Sequence, residues 1–380
     1  MDFKLTEEQE LIRQSAREFA QTYCQPIAAK VDQEGYYPEE TVKQLAAHDY
    51  MGMVYPEEVG GAGADYISYA IMVEEISRVC ASTGIIYASH VSLASNPIFQ
   101  WGSDYLKDKY LKPMCKGEKV GAFALTEPGA GTDVASGSVT AKLEGDHYVL
   151  NGTKCFITNA GVADCYTVFA NSNPEAGVKG LSCFIVDKDT EGFTIGKYEN
   201  KMGIRGSHTG ELIFKDAKVP KENLVGEEGK GFKYAMITLN GGRISIAAQA
   251  VGIAQGALDA AVKFAKERVQ FHKPIATKQF IAFTIADMKT RLEAARLLTY
   301  NAAYVHDHDP KNAAATASMA KLFAADTASF VCDRAVQIHG GYGYIKDFDV
   351  ERFYRDQRIT GIYEGTSEVQ RMIVSGSLLR

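Results

Sequence analysis

One glutamate in this chain sits in a setting suited to proton transfer. Glu364 falls in Ile362-Tyr363-Glu364-Gly365-Thr366, with apolar and aromatic residues before it and a glycine after it. Removing a carboxylate from water raises its proton affinity toward working pH, and it can then act as a general base. Gly365 lets the backbone come close to a bound molecule. The amide of Glu364 could donate to a carbonyl oxygen on which negative charge develops. Taken alone, Glu364 reads first as a solvated glutamate in a loop ahead of a C-terminal helix.

Three other runs carry candidate chemistry. Leu125-Thr126-Glu127-Pro128-Gly129-Ala130-Gly131-Thr132-Asp133 leaves a strand with two glycines and the hydroxyls of Thr126 and Thr132. Such a loop can aim amides at an oxygen-rich cofactor, or it can be a plain strand-exit turn. Arg268 ends a helix ahead of Phe271, and its planar fork matches pyrophosphate oxygens; alone it is an ordinary solvated cation. Asn240-Gly241-Gly242-Arg243 is read as the opening of a long helix, where Asn240 suits an N-cap. No GxGxxG follows a leading strand, which argues against a nicotinamide-dependent dehydrogenase.

The elements that must position these residues fall into three segments, 1–120, 121–230 and 231–380. The first is helical: Thr6 and Gln9 form a capping box, apolar residues then recur at helical spacing, and further helices are expected over Tyr66–Val79 and between Ser89 and Trp101. The second has short apolar runs at 120–125, 147–150, 155–158, 166–170, 181–186 and 211–214, separated by turn clusters such as Asn151-Gly152. Strands at this spacing suggest a small β-barrel or sandwich. The third returns to long helices, 244–269, 281–304 and 313–338, joined by short loops as in an antiparallel four-helix bundle. The fold class is α+β.

Composition sets outer bounds. In 380 residues, 41 Lys and Arg against 47 Asp and Glu give a net charge of −6, which argues against a nucleic-acid or anionic-membrane surface. The charged start Met1–Gln9 has no apolar run like a signal-peptide core, and no stretch approaches ~18 consecutive apolar residues. Seven scattered cysteines without CxxC or Cys/His clusters read as reduced, buried small hydrophobes in a cytoplasmic setting, with no zinc and no disulfide framework.

Four motifs, in order and spread over the chain, resemble the acyl-CoA dehydrogenase family of flavoproteins, within it the short-chain, butyryl-CoA type. They are Leu125–Asp133, Glu267-Arg268-Val269-Gln270-Phe271, Gln337-Ile338-His339-Gly340-Gly341-Tyr342-Gly343 and Ile362–Glu368. The resemblance implies FAD, with Phe123, Leu125, Thr126, Gly131 and Thr132 around the flavin and Thr132 also near the CoA arm. It implies that Phe156-Ile157-Thr158 packs on the flavin, with Phe156 where the family commonly has tryptophan. Arg268, with Phe271 and Gln279 nearby, would reach the FAD pyrophosphate of a neighbouring subunit. Gln337, Ile338, Gly340 and Gly341 would meet that cofactor, and Thr366 and Glu368 its adenine side. His272 stands where a glycine is usual. Arg243 and Asn240 would hold CoA, Asn240 replacing the usual aspartate, and Gly365 would approach the thioester.

The same resemblance makes Glu364 the base that takes the α-proton while a hydride leaves the β-carbon. It also implies electron-transfer flavoprotein as acceptor and a tetramer, a dimer of dimers. Glu364 in place argues against the branches that carry the base on an earlier helix. The absence of Arg and Lys from Gly84 to Asn96 argues against a dicarboxylic acyl chain. His90 reads as a core histidine or as a polar group in the acyl pocket, the second of which would hint at a ring. A branched or cyclic acyl-CoA is the alternative substrate, a non-catalytic acyl-CoA- or flavin-binding scaffold the alternative class.

Overall fold

The computed structural model describes residues 4–379, so Met1–Phe3 of the charged start and Arg380 lie outside it. The capping box forms as the spacing requires: Gln9 N donates to Thr6 Oγ1 at 3.2 Å and Thr6 N to Gln9 Oε1 at 3.0 Å. Helix α1 (Glu7–Phe19) starts there, followed by α2 (Ala28–Glu34), α3 (Glu39–Ala47), α4 (Tyr66–Ser77), α5 (Ala81–Ala88), α6 (Asn96–Trp101), α7 (Asp104–Leu106) and α8 (Lys112–Cys115).

The helical stretch expected from Ser89 begins instead at Ala81, and Ser89–Ala94 continues it as a wide turn. All eight residues of α5 are buried. A helix wrapped by protein on every side has no polar stripe, so the 3.6-residue periodicity disappears from its sequence.

The middle segment is one curled sheet of β1 (Gly121–Ala124), β2 (Thr140–Glu144), β3 (His147–Thr158), β4 (Cys165–Asn171), β5 (Leu181–Asp187), β6 (Phe193–Tyr198) and β7 (Thr209–Pro220). The strand order is β1-β4-β2-β3-β7-β6, with β5 also on β4, and β1 runs parallel to β4. Leu150, Val168, Phe184, Leu212 and Val219 fill a separate core inside the curl. Strands β2 and β6 go beyond the six apolar runs, because their partly exposed residues make no such run.

Asn151-Gly152 is not a turn. It lies inside β3, where the pairing with β7 shifts register between Leu150 and Gly152. Gly152 takes φ +132°, and the Asn151 side chain bonds Asp216 across the bulge in both directions, at 3.0 and 2.9 Å. A second register shift, between Lys154 and Ile157, holds Phe156 at φ +57°. A bulge of this kind re-aims a side chain out of the sheet's alternation.

The last segment contains α9 (Gly231–Glu267), α10 (Gln279–His308), α11 (Ala313–His339), α12 (Val350–Gln357) and α13 (Ser367–Leu379). Between α9 and α10, Val269–Gln270 and Lys273–Pro274 form a small hairpin. Both of its tip residues are left-handed, Phe271 at φ +53° and His272 at +64°. Hairpin tips of this form favour glycine or asparagine, so His272 holds a strained position that glycine would occupy freely.

Buried polar links join the segments. Arg296 of α10 donates to Glu74 of α4 at 2.8 Å, and Arg355 of α12 grips Asp32 of α2 with two bonds of 2.8 and 2.6 Å. By length and composition α9 could cross a membrane, but 83% of its most apolar window is buried inside the protein, so the core uses that apolarity. All seven cysteines are free and buried, and no metal-binding group of His, Cys, Asp and Glu occurs among the described residues.

Candidate active site

Glu364 lies in the connection between α12 and α13 at φ +53°, followed by Gly365 at φ +91°. Left-handed backbone costs a non-glycine residue roughly 1–2 kcal/mol, so the surroundings must hold it. Gly365 O accepts from Lys321 Nζ at 2.7 Å and from Gln370 Nε2 at 2.8 Å. On the other side the Tyr363 hydroxyl donates to Gln249 Oε1 of α9, and Gln249 Nε2 donates to Ala81 O at 3.0 Å.

Within that turn the Glu364 side chain faces α9. A Cβ on Gly242 would lie 3.0 Å from Glu364 Oε2 and 2.7 Å from Leu93 Cδ2. The residue as a whole is half-buried, yet its Oε2 is closed off from solvent and has no hydrogen-bond partner. Burial pushes the carboxyl up to about 7, against the pull of Lys321 and Arg243. A carboxylate so placed is a strong proton acceptor, with no donor of the protein on that oxygen.

Arg243 is 4% exposed. Its Nη1 donates to Asn240 Oδ1 at 2.8 Å, and its Nε is buried without a partner. Burial lowers its proton affinity, and Glu364 opposes that. The N-cap reading of Asn240 is overturned: α9 begins at Gly231, and Asn240 sits in its interior. Tyr234, Ala235 and Thr238 are buried in the added turns, so packing extends the helix past the expected start.

Phe123 lies in β1, and Leu125, Thr126, Gly131 and Thr132 follow in the loop after it. Cys155 N donates to Thr126 O at 3.0 Å, so this loop and the bulge bearing Phe156, Ile157 and Thr158 are one unit. Phe156 is 64% exposed, although it is a large aromatic in a sheet. A Cβ added at Gly129 or Gly131 would meet nothing within 4 Å. An open glycine loop beside an exposed ring fits a planar cofactor with oxygen-rich arms.

A second open region lies at the far ends of α9 and α11. Arg268, Ile338, Gly340 and Gly341 share a groove with Phe264 and Tyr342, and the Arg268 guanidinium stands 5.2 Å from the Tyr342 ring centre. Gly340 and Gly341 also face open space. Gln337 is exposed on the last turn of α11, Gln279 opens α10, and Phe271 is 83% exposed at the hairpin tip. Thr366 and Glu368 flank the start of α13, with Glu368 exposed. The open glycine loops, the exposed rings and the Arg268 guanidinium together fit an elongated cofactor such as FAD.

His90 is a core histidine. Its Nε2 faces Met114 O at 3.1 Å and its Nδ1 accepts from Gly121 N at 3.1 Å. Burial pulls it down to about 4, so it is neutral.

Sequence reasoning does not single out the buried groups that hold these loops. Glu127 and Lys154 form an ion pair of 2.8 Å, and Lys154 Nζ also donates to Leu125 O at 2.8 Å. Glu127 further accepts from Ser138 N, Ser138 Oγ and Val139 N, and these bonds with Lys154 outweigh burial and hold it below the usual carboxylate range. Lys321 and Gln370 are both 0% exposed. A single lysine inside Ala320-Lys321-Leu322-Phe323-Ala324 is the one signal in the sequence that could have pointed to Lys321.

Residues 6–118, 122–217 and 229–379 match, in turn, the N-terminal, middle and C-terminal domains of acyl-CoA dehydrogenases. The chain is 52% identical over 380 residues to a Clostridium acetobutylicum protein named "Acyl-CoA dehydrogenase, short-chain specific", covering 100% of both. It is 49% identical over 376 residues to "Caffeyl-CoA reductase-Etf complex subunit CarC" of Acetobacterium woodii, covering 99% of both. Its fold superposes on butyryl-CoA dehydrogenase from Megasphaera elsdenii with a TM-score of 0.98, at 47% identity and 100% coverage of both chains. With three domains matched in order and identity this high over the whole length, the chain belongs to the acyl-CoA dehydrogenase family of FAD-dependent oxidoreductases.

Proposed function

We propose that this enzyme desaturates a short-chain acyl-CoA thioester between its α- and β-carbons and passes the electrons to electron-transfer flavoprotein. The observation that carries the reading is the Glu364 carboxylate, with one oxygen shielded and unpartnered beside the buried cation Arg243. The chain length of the acyl group rests on the similarity to the short-chain-specific enzyme of C. acetobutylicum.

Bound FAD supplies the acceptor for the β-hydride. Glu364 takes the α-proton, an acid too weak for an ordinary solvated carboxylate but within reach of a dehydrated one. Gly365 gives the thioester room, and Arg243 with Asn240 holds part of the CoA by charge and hydrogen bonds. Phe123, Leu125, Thr126, Gly131, Thr132, Phe156, Ile157 and Thr158 enclose the flavin.

Arg268, Phe271, Gln279, Gln337, Ile338, Gly340, Gly341, Thr366 and Glu368 serve its dinucleotide part. Arg243 and Arg268 are 25 positions apart, the first inside α9 and the second just past its end, about 37 Å at 1.5 Å per residue. Arg243 stands beside Glu364, so Arg268 lies far from the reacting end of this subunit's own site, which supports its serving the cofactor of a neighbouring subunit in a tetramer. We place the protein in the cytoplasm and its domain limits at 120/121 and 230/231.

A second reading runs the same site backwards, as enoyl-CoA reduction. With Glu364 pushed up to about 7, acid and base forms coexist at neutral pH, so either direction finds the proton where it is needed. The relative named a caffeyl-CoA reductase subunit supports that option.

The test is an anaerobic spectral titration of the holoenzyme with butyryl-, isobutyryl- and cyclohexanecarboxyl-CoA. Rapid loss of the ~450 nm flavin band with butyryl-CoA is expected. Bleaching by one of the others alone moves the substrate to a branched or cyclic acyl group. No bleaching by any of them overturns the short-chain reading.

A further inference from the structure

Lys321 is a lysine with no ordinary reason to be where it is. It lies in α11 among alanines, is 0% exposed, and its ammonium makes a hydrogen bond to a backbone carbonyl, Gly365 O at 2.7 Å. Burying an ammonium without a carboxylate bonded to it is costly, and a leucine or methionine would fill the same space without that cost. The carbonyl it holds belongs to the left-handed turn that carries Glu364, and Gln370 of α13 grips the same oxygen from the other side.

The charged groups facing Lys321 are Glu364 of the turn, Arg243 of α9, Glu368 of α13 and Asp326 of α11 itself. Burial pulls Lys321 down to about 8, while Glu364 helps to keep it charged. Lys321 in turn lowers the proton affinity of Glu364, ahead of Arg243 in that effect.

We infer that Lys321 is a positioning residue for the base: its buried ammonium pins the Glu364–Gly365 turn through the Gly365 carbonyl and supplies positive charge near the Glu364 carboxylate. The inference rests on the assignment of Glu364 as base. Lys321 touches the turn and not the substrate, so its effect reaches the reaction through Glu364.

The experiment compares wild type, Lys321→Gln, Lys321→Met, Lys321→Arg and Glu364→Gln as FAD-loaded enzymes, reading the rate of anaerobic flavin reduction by butyryl-CoA from pH 5.5 to 9. Lys321→Gln and Lys321→Met are expected to reduce flavin about fivefold more slowly at pH 7. The acid limb of the profile should move up by about one pH unit, with recovery at high pH, because the charge that favours ionised Glu364 is gone. Lys321→Arg keeps a cation and should keep the limb where it is.

A uniform rate loss with an unmoved limb in Lys321→Gln would mean a structural role only, and overturns the inference. If Lys321→Met does not fold, the Gln and Arg pair decides. Glu364→Gln separates the two claims: normal reduction by that variant sinks the base assignment, whereas an inert Glu364→Gln beside an unmoved limb in Lys321→Gln sinks only the role of Lys321.

Discussion

A side chain on Gly242 would begin 3.0 Å from Oε2 of Glu364, which makes this point of α9 the floor on which the carboxylate rests. The same Cβ would stand 2.7 Å from Leu93 Cδ2, closer than real contacts allow. Gly242→Ala therefore has to displace Leu93, the carboxylate, or both. Reacting groups moved by a fraction of an ångström lose rate steeply, so flavin reduction should fall about 10–100-fold. FAD content should stay at the wild-type level, because Gly242 is not among the residues assigned to the cofactor. Stopped-flow reduction of the purified variant checks this, and an unchanged rate would show that Glu364 does not rest there during reaction.

The raised proton affinity of Glu364 has a consequence for stability. Its carboxyl stands at about 7 in the folded chain against an ordinary 4.5, so the folded state binds the proton more tightly. Stability contributed by the protonated form is complete below pH 4.5 and is lost as pH rises through 7. Glu364→Gln removes that loss. In the absence of acyl-CoA it should be more stable than wild type at pH 8 by roughly 1–3 kcal/mol, with the two converging below pH 4.5. Thermal unfolding at both pH values tests the sign. A variant less stable than wild type at pH 8 would mean the carboxylate is not strained by its burial.

Gln249 connects the base turn to the N-terminal helices, accepting from the Tyr363 hydroxyl and donating to Ala81 O. Gln249 is 0% exposed, so Tyr363→Phe leaves its Oε1 with no donor. An unsatisfied buried acceptor costs about 1–3 kcal/mol, and the urea midpoint should drop accordingly with an unchanged slope. Gln249→Leu has a cost of its own, because Ala81 O loses its donor, but in that background Tyr363→Phe should cost little, since no Oε1 is left to orphan. A cost of Tyr363→Phe as large in the Gln249→Leu background as in wild type would place it in packing rather than in the lost hydrogen bond.

How much of this was legible depends on how local each cause is. The capping box at Thr6 and Gln9 could be read because both partners lie within four residues. Helix α5 could not, since complete burial erases the pattern that marks a helix. Asn151-Gly152 carries a real signal for left-handed backbone, but whether it becomes a hairpin tip or a bulge depends on β7, some sixty residues later. Asn240 could cap a helix; packing of Tyr234 and Ala235 decided that the helix starts earlier. The family motifs pointed to Glu364, and the Asn240–Arg243 run passed over Gly242, the residue on which it rests. Lys321 is 43 positions before Glu364, and only the fold brings its ammonium to Gly365. Local hydrogen bonds and motif residues are therefore readable, and the groups that hold those motifs in place are not.

The same division predicts where the glycine loop can be broken without touching it. Glu127 is 3% exposed and Lys154 1%, and their ion pair underlies the Thr126–Thr132 loop while Lys154 also holds Leu125 O. Glu127→Gln keeps the shape but leaves a buried ammonium without its counter-charge, which costs about 3–5 kcal/mol. It also weakens the bonds from Ser138 and Val139 that close the loop on itself. The variant should unfold at lower urea and purify with less FAD per chain. Glu127→Gln combined with Lys154→Met removes the orphaned charge and should regain most of the stability. FAD retention should not return with it, because Leu125 O now loses its Lys154 donor and the bonds from Ser138 and Val139 stay weakened. If the double variant recovered its yellow colour along with its stability, the ion pair would serve folding alone, and the loop would find its cofactor-binding shape without it.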